Sequence, residues 1–411
     1  MKSFNTVVIG AGPAGMMASI EASKKGSVCL LDSNPSPGQK LLLTGGGRCN
    51  VTVSENARNF LKGVPSHSSF LYSSLNQFSP ADTQTFFKNR GVSLQIERNK
   101  AVFPVSNKAE TIVQCLLEEM DRQNVVFQQA TVQKVQAKED APFYIVSEHQ
   151  GNTHVWEANH VILATGGKSY SHTGSTGGGY LLAQALGHTI VPTEPGLIHL
   201  VVKPNIWTDC QGISLSSIEV KWCGSKEKYR GDFLFTEHGF SGPVILNMSL
   251  EWFRKQELCI DFFSSITEDE WFDAAEDWRH FHPTMKISSW LQKRFPKKMI
   301  AVFLSQAEIA DTIPGAEFSK KDQRKLYMLI RGGIVNYVQK GSIEKAMVTL
   351  GGVDLKEINP GTMESKMQPS LFFAGEMIDV AGKTGGYNIQ IALSTGFVAG
   401  QLKTNHQRGE T

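Results

Sequence analysis

The sequence predicts an α/β fold wound on a parallel sheet, and three stretches predict it. A strand-like run, Val7-Val8-Ile9, leads directly into Gly10-Ala11-Gly12-Pro13-Ala14-Gly15 and an Ala-rich helix. A second apolar run, Ser27 to Leu31, closes on an acid, Asp32, 22 residues after Gly10. Near the other end, Leu371-Phe372-Phe373-Ala374 repeats the order of strand, glycine turn and helix. The first two stretches together describe a device for holding a dinucleotide. Gly10 permits the tight turn off the strand, Gly12 removes a side chain where backbone approaches a pyrophosphate, and Gly15 lets the helix lie close to the sheet. The turn residues Pro13 and Ala14 open that helix, whose free N–H groups suit phosphate. Asp32, with Ser33 beside it, is placed to meet ribose hydroxyls. These glycines leave FAD and NAD open.

Size and composition bound the rest. By the prior of about 100–200 residues per domain, 411 residues allow two or three domains. A hydrophobic fraction of 41% supports a large core, and the net charge of +2 argues against an electrostatic nucleic-acid binder. The basic stretch Gln292 to Lys298 reads as a solvated helix end. Six scattered cysteines without a CxxC argue against zinc and against a disulfide framework, and they fit a reducing, cytoplasmic setting. No metal-ligand spacing of histidines is found, and no Ser–His–Asp constellation can be argued. No run approaches the roughly 20 apolar residues of a membrane span, and the apolar N-terminus lacks the features of a signal peptide.

The elements follow in order. The first helix stops near Gly26. Residues 55–100 read as mixed and partly helical. A helix is predicted over about 107–122, with Asn107 and Glu110 as a capping pair and Ile112, Val113, Leu116, Leu117 and Met120 on one face. Short strands are predicted at 125–127, 131–135, 143–146, 153–156 and 160–164, with a hairpin turn at His149-Gln150-Gly151-Asn152. A helix over 179–186 ends at Gly187. Near 191–195 the character changes, and an inserted domain is expected over 191–345: a β part to about 265, then a helical part. The first domain comprises 1–190 and 346–411. Its last helix, from about Gly386, carries Ala392, Gly396 and Gly400 four apart, a bare ridge suited to close approach.

Three further segments carry chemistry. In Gly38 to Asn50, the run Thr44-Gly45-Gly46-Gly47 costs conformational entropy and suits backbone lying against a flat or anionic group. Lys40 and Arg48 there are candidates to neutralise phosphate or a developing flavin anion, and Asn50 can donate and accept. Ala164-Thr165-Gly166 ends a buried strand where ligands sit in open α/β sheets. Gly375-Glu376 and Gly385-Gly386-Tyr387-Asn388 pair a strand end with a helix start, which can present N–H groups to a reduced flavin edge. Glu376 or Asp379 is placed to bond a ribityl chain. Cys49 reads as inert packing.

Together these segments resemble the bacterial FAD-dependent oxidoreductases that include aminoacetone oxidase and the BaiN-type flavoproteins. The resemblance covers nearly the whole chain, through GAGPAG (10–15), GQKLLLTGGGRCNV (38–51), ATGGKSY (164–170), TGSTGGGY (173–180), LFTEHGFSGP (234–243), TLGGV (349–353) and FFAGEMIDVAGKTGGYN (372–388). It implies a Rossmann-like FAD-binding domain of glutathione-reductase or fumarate-reductase type, with an inserted β-plus-helical cap. It also implies FAD in the first site, flavin against 44–50 and 385–388, and adenine held near Val132. Where relatives read Ser-Tyr-Pro, this chain has Ser169-Tyr170-Ser171-His172. Arg48, Tyr170, His172 and Lys383 are the candidate catalytic residues. The implied activity is oxidation of a small amine or aminoketone, with dioxygen as acceptor. A flavin-dependent C=C reductase with an external electron donor is the alternative. A flavin-bound scaffold or RNA-interacting protein is a third reading.

Overall fold

The computed structural model describes residues 1–97, 99–138, 141–251, 257–336 and 338–404. By contact the chain forms two units, Met1–Gly196 with Ile343–Thr411, and Leu197–Ser342.

Alternation along four parallel strands builds the first unit. Val28–Asp32, Lys2–Ile9, Asn152–Leu163 and Leu371–Phe373 lie side by side, with Val126–Gln129 parallel at one edge. Val8, Leu30, Ile162 and Phe372 face one way, into a core shared with the helices Pro13–Ala22 and Ala109–Arg122. Val7, Cys29, Leu31, Val161 and Phe373 face the other way, into a second core. Burial on both faces explains why the inner stretches Val7–Ile9, Val28–Leu31, Val161–Leu163 and Leu371–Phe373 are continuously apolar. The helices Pro13–Ala22 and Tyr387–Gly400 pack against each other, as the bare ridge requires: a Cβ on Gly396 would lie 2.3 Å from the Ala14 carbonyl oxygen, and one on Gly400 2.5 Å from that of Ala18.

Asn152–Leu163 is one strand where the sequence suggests two. Its first part pairs antiparallel with Ala141–His149, and its last residues pair in parallel with Leu371–Phe373. Two different neighbours, one solvated and one buried, give the strand two patterns. His149 pairs with Asn152 across a turn in which Gln150 and Gly151 both have positive φ, as the hairpin reading expects. The Ala109–Arg122 helix lacks the expected cap. Asn107 precedes it in a left-handed conformation, and its side-chain oxygen accepts from Arg48 instead.

Residues 191–196, read from sequence as the start of the insert, complete a strand, Ile190–Gly196, that pairs with Val348–Val353 inside the first unit. The second unit holds a seven-stranded antiparallel sheet, followed in sequence by the helices Glu268–Phe281, Ile287–Leu291, Lys297–Gln306 and Lys320–Gly332. The expected helical stretch does not run to its end: Gly333–Val335 and Val338–Lys340 return to the sheet as its two edges. Aromatic side chains fill this core, among them Trp207, Phe233, Phe235, Trp271, Trp290 and Phe303. Against the reading that the scattered cysteines argue against a disulfide framework, Cys223 and Cys259 form a disulfide: the antiparallel pairing of Ser214–Trp222 with Leu258–Asp261 brings their Cα atoms to 5.5 Å although they are 36 residues apart in sequence. Among the described residues no helix is long and apolar enough to cross a membrane.

Candidate active site

A cleft of about 1000 Å³ opens where the parallel strands end. Gly10 follows the first strand, Asp32 ends the second, Ala164-Thr165-Gly166 follow the third and Gly375-Glu376 follow the fourth; all line it, with Gly12, Pro13, Ala14, Lys40, Thr44 and Asn388. A second cavity of about 510 Å³ shares Gly10, Asp32, Thr165 and Gly174 and continues past Ser33 to Val132. The combined crevice is long, and it lies where open α/β sheets take nucleotides.

The glycine turn has the geometry its spacing implies. A Cβ on Gly10 would sit 2.4 Å from the Ala164 carbonyl oxygen, and one on Gly15 1.8 Å from that of Gly10. A Cβ on Gly12 would meet nothing within 4 Å. Two glycines therefore hold strand and helix together, and the third faces open cleft. The Pro13–Ala22 helix has no side chain capping its start, so its first N–H groups are left for a ligand. Asp32 is held by the Ala11 N–H at 2.6 Å and by the Asn34 backbone and side-chain N–H groups at 2.8 and 2.9 Å. Asn34 also donates to the Thr173 carbonyl at 3.0 Å, tying the second strand to the 171–175 loop.

The two cations of the glycine-rich segment are committed to carboxylates. The Lys40 ammonium lies 2.6 Å from Glu376 and 2.6 Å from the Ser169 hydroxyl, which itself donates to Glu376 at 2.7 Å. Thr349, unsuspected as a site residue although it opens the TLGGV motif, completes this cluster. Its N–H donates to Glu376 at 2.9 Å, and its hydroxyl accepts from the N–H groups of Lys168 and Ser169. Lys40 and Glu376 thus meet the cleft as a neutral pair. Arg48 is not on the cleft lining: its guanidinium bonds Glu97 and Asn107 and lies 4.1 Å from the Phe103 ring centre.

Gly45, Gly46 and Gly47 all have positive φ, and Cβ atoms on Gly46 and Gly47 would meet nothing within 4 Å. Asn50 lies against Gly386 at the start of the Tyr387–Gly400 helix, and its side-chain oxygen is buried with no hydrogen-bond partner among the described residues. Gly385 and Gly386 adopt the left-handed turn that opens this helix. The Tyr387 side chain turns away from the cleft. It packs on Phe60, with ring centres 4.8 Å apart, and donates to Glu55, and burial pushes its phenol up to about 12. Asp379 accepts from the Gly351 N–H, and its carbonyl meets His67. Tyr170, in a left-handed conformation, stands edge to face with the exposed His172 at 5.7 Å. The Lys383 N–H bonds the Gly63 carbonyl. Neither Tyr170, His172 nor Lys383 lines the cleft. Cys49 is fully buried, and burial pushes its thiol up to about 12, which makes it inert packing.

One constellation escaped the sequence entirely. The His188 ring bonds Glu357 at 3.1 Å through Nδ1 and the Ser365 hydroxyl at 3.0 Å through Nε2. Ser365 is 1% exposed and accepts from the N–H groups of Met367 and Gln368, so it is a structural link and not a nucleophile.

Three features fit FAD: the uncapped helix behind Gly12, the open backbone of Gly46 and Gly47, and the unpaired Asn50 oxygen beside a second helix start. Comparison with known proteins agrees. Residues 4–402 match the HI0933-like protein Rossmann domain family. The chain is 30% identical to a ribosomal RNA dihydrouridine synthase of Escherichia coli, covering 98% of each chain. It is 29% identical to a 3-dehydro-bile acid delta(4,6)-reductase of Clostridium scindens, covering 96% of this chain and 97% of the relative. Its fold resembles that of a 3-ketosteroid-delta4-(5alpha)-dehydrogenase from Rhodococcus jostii, with a TM-score of 0.52 at 16% identity over 97% of both chains. The chain belongs to the HI0933-like Rossmann-domain family and is an FAD-dependent oxidoreductase.

Proposed function

We propose that this protein saturates a ring carbon–carbon double bond conjugated to a carbonyl. One observation carries the reading: the two relatives, each matching nearly the whole chain at 29–30% identity, are both named for that change. Uracil becomes dihydrouracil by losing its C5=C6 bond beside a carbonyl, and a 3-oxo steroid loses its Δ4 or Δ6 bond in the same electronic setting. FAD, when bound and reduced, would supply the hydride equivalent for the carbon β to the carbonyl, with a proton from the protein or water completing the α carbon.

The chain's own residues do the rest. The Pro13–Ala22 helix start and the Gly12 backbone hold the pyrophosphate, Asp32 holds the ribose side, and Val132 covers the adenine end. Glu376 meets the ribityl chain as part of the neutral Lys40 pair, so the cluster adds no net charge beside the cofactor. The Gly45 to Gly47 backbone, Asn50 and the Gly386 turn bound the flavin, where N–H groups favour the reduced, anionic ring. An amine or aminoketone oxidase would use the same cofactor site with electrons passing to dioxygen, so the chemistry has to be separated by products.

The test is anaerobic. Holoprotein reduced with dithionite, freed of excess, is mixed with a 4-en-3-one steroid or with uridine. The expected result is return of the oxidised flavin spectrum with a product two hydrogens heavier than the substrate. Unchanged substrate, with flavin reduction by aminoketones and peroxide release in air, overturns the proposal in favour of the oxidase.

A further inference from the structure

In the second unit the two faces of the antiparallel sheet carry different chemistry. Along Ser214–Trp222 and Leu258–Asp261, the alternate residues Ile218, Val220, Trp222, Leu258 and Ile260 are buried in the aromatic core. Glu219, Lys221, Cys259 and Asp261 point the other way and, with Lys228 and Arg331, line a cavity of about 710 Å³. The Cys223–Cys259 disulfide closes on this same face, and its two ends differ. Cys259 lines the cavity and is partly exposed, whereas Cys223 is 8% exposed.

The charges around the bond are unequally engaged. Lys228 pairs with Glu219 at 2.6 Å, and Arg331 pairs with Asp261 at 3.3 Å while donating to the carbonyls of Phe263 and Ile266. The Lys221 ammonium has no ion pair or hydrogen bond among the described residues. Lys221 stands directly across from Cys259 in the strand register and two residues before Cys223 on the same face. It is therefore the uncommitted charge nearest in register to both sulfurs.

A bridge that only staples two strands has no use for that cation. A neighbouring ammonium stabilises a thiolate, so it favours the reduced pair and makes the bond easier to open. One reachable sulfur, one covered sulfur and a free cation beside them suit attack at the first with the second as leaving group.

We infer that the Cys223–Cys259 disulfide is an exchange site for a small thiol carrying carboxylates, with Cys259 as the attacked sulfur and Lys221 as the group that draws the ligand in. The ligand thiolate bonds to the Cys259 Sγ as the Cys259–Cys223 bond breaks. The electron pair leaves on the Cys223 sulfur, which takes a proton from water. A second ligand thiol then attacks the ligand sulfur of the mixed disulfide, forms the small-molecule disulfide and frees Cys259. Two ligand thiols are oxidised, and the protein disulfide takes up two electrons and two protons. This chemistry is independent of the acceptor that the flavin serves.

The experiment treats the FAD-loaded protein with reduced glutathione near neutral pH, traps free thiols with N-ethylmaleimide and maps adducts by mass spectrometry without reduction. Glutathione is expected on Cys259 and the maleimide on Cys223, with the four buried cysteines unlabelled. Rates with glutathione and with the cationic thiol cysteamine are each divided by that thiol's rate with a small neutral disulfide. The corrected rate for glutathione is expected to be at least about threefold the higher, a preference that vanishes at about 1 M salt. Lys221→Gln is expected to remove the preference with FAD absorbance unchanged. In Cys223→Ser, the remaining Cys259 thiol is expected to form the adduct with oxidised glutathione in the native protein. A bond that excess glutathione leaves intact in the folded protein, glutathione on Cys223 in place of Cys259, an equal preference in wild type and Lys221→Gln, or no adduct in Cys223→Ser overturns the inference.

Discussion

Asp32 accepts from the Ala11 N–H and twice from Asn34, so one carboxylate fixes both the glycine turn and the loop carrying Thr173. Hydrogen bonds to a charged acceptor contribute about 1.5–3 kcal/mol each. Asp32→Ala is therefore expected to weaken FAD binding at least about tenfold, measured by flavin fluorescence titration of the apoprotein; undiminished affinity would place the cofactor elsewhere. Cys49 makes the opposite kind of prediction. With its thiol pushed up to about 12 by burial, iodoacetamide at pH 8 should leave it unlabelled in the native protein and label it once unfolded, read by mass spectrometry. At this scale the sequence was legible where backbone geometry demanded one residue type, as at Gly10 and Gly15. It was not legible where a side chain's partner is remote. Lys40 reads as a free cation until Glu376, 336 residues away, is seen beside it, and Tyr387 reads as a cofactor contact until its ring is found on Phe60.

Between elements, the contact of Pro13–Ala22 with Tyr387–Gly400 sets the floor of the cleft. Gly396→Ala would place a methyl 2.3 Å from a backbone oxygen that cannot rotate away. The expected cost is about 1–3 kcal/mol, seen as a lower urea midpoint with partial loss of bound FAD; a neutral result would mean that the helices are not held this closely. The Glu357–His188–Ser365 chain ties the segment after the Gly178–Ala185 helix to the 355–368 stretch. Burial lowers the His188 pKa, although Glu357 opposes the shift. The unfolded chain then takes up a proton near pH 6.5 that the folded chain refuses, so stability falls as pH drops below about 6.5. His188→Gln should flatten that acid limb in urea titrations at pH 5 and 7, and an unchanged slope would assign the acid sensitivity to other groups. The bare ridge at Gly396 and Gly400 was readable because four-residue spacing is a local pattern. The long strand Asn152–Leu163 was not, because its two halves answer to different neighbours.

Over the whole molecule, periodicity and glycine spacing were enough to place a dinucleotide crevice at the ends of a parallel sheet, since each strand and turn declares itself locally. The insert was harder. Its β and helical character was visible, but its closing strands Gly333–Val335 and Val338–Lys340 are three residues each and pair with strands far earlier in the chain. The central claim is that electrons leave the reduced flavin for a conjugated double bond. Stopped-flow reoxidation of the reduced holoprotein tests it most directly, with a conjugated enone or uridine in one syringe and air-saturated buffer in another. The account predicts reoxidation by one of the C=C acceptors at least about tenfold faster than by oxygen. Fast reoxidation by oxygen with peroxide release, and none by either acceptor, would contradict it.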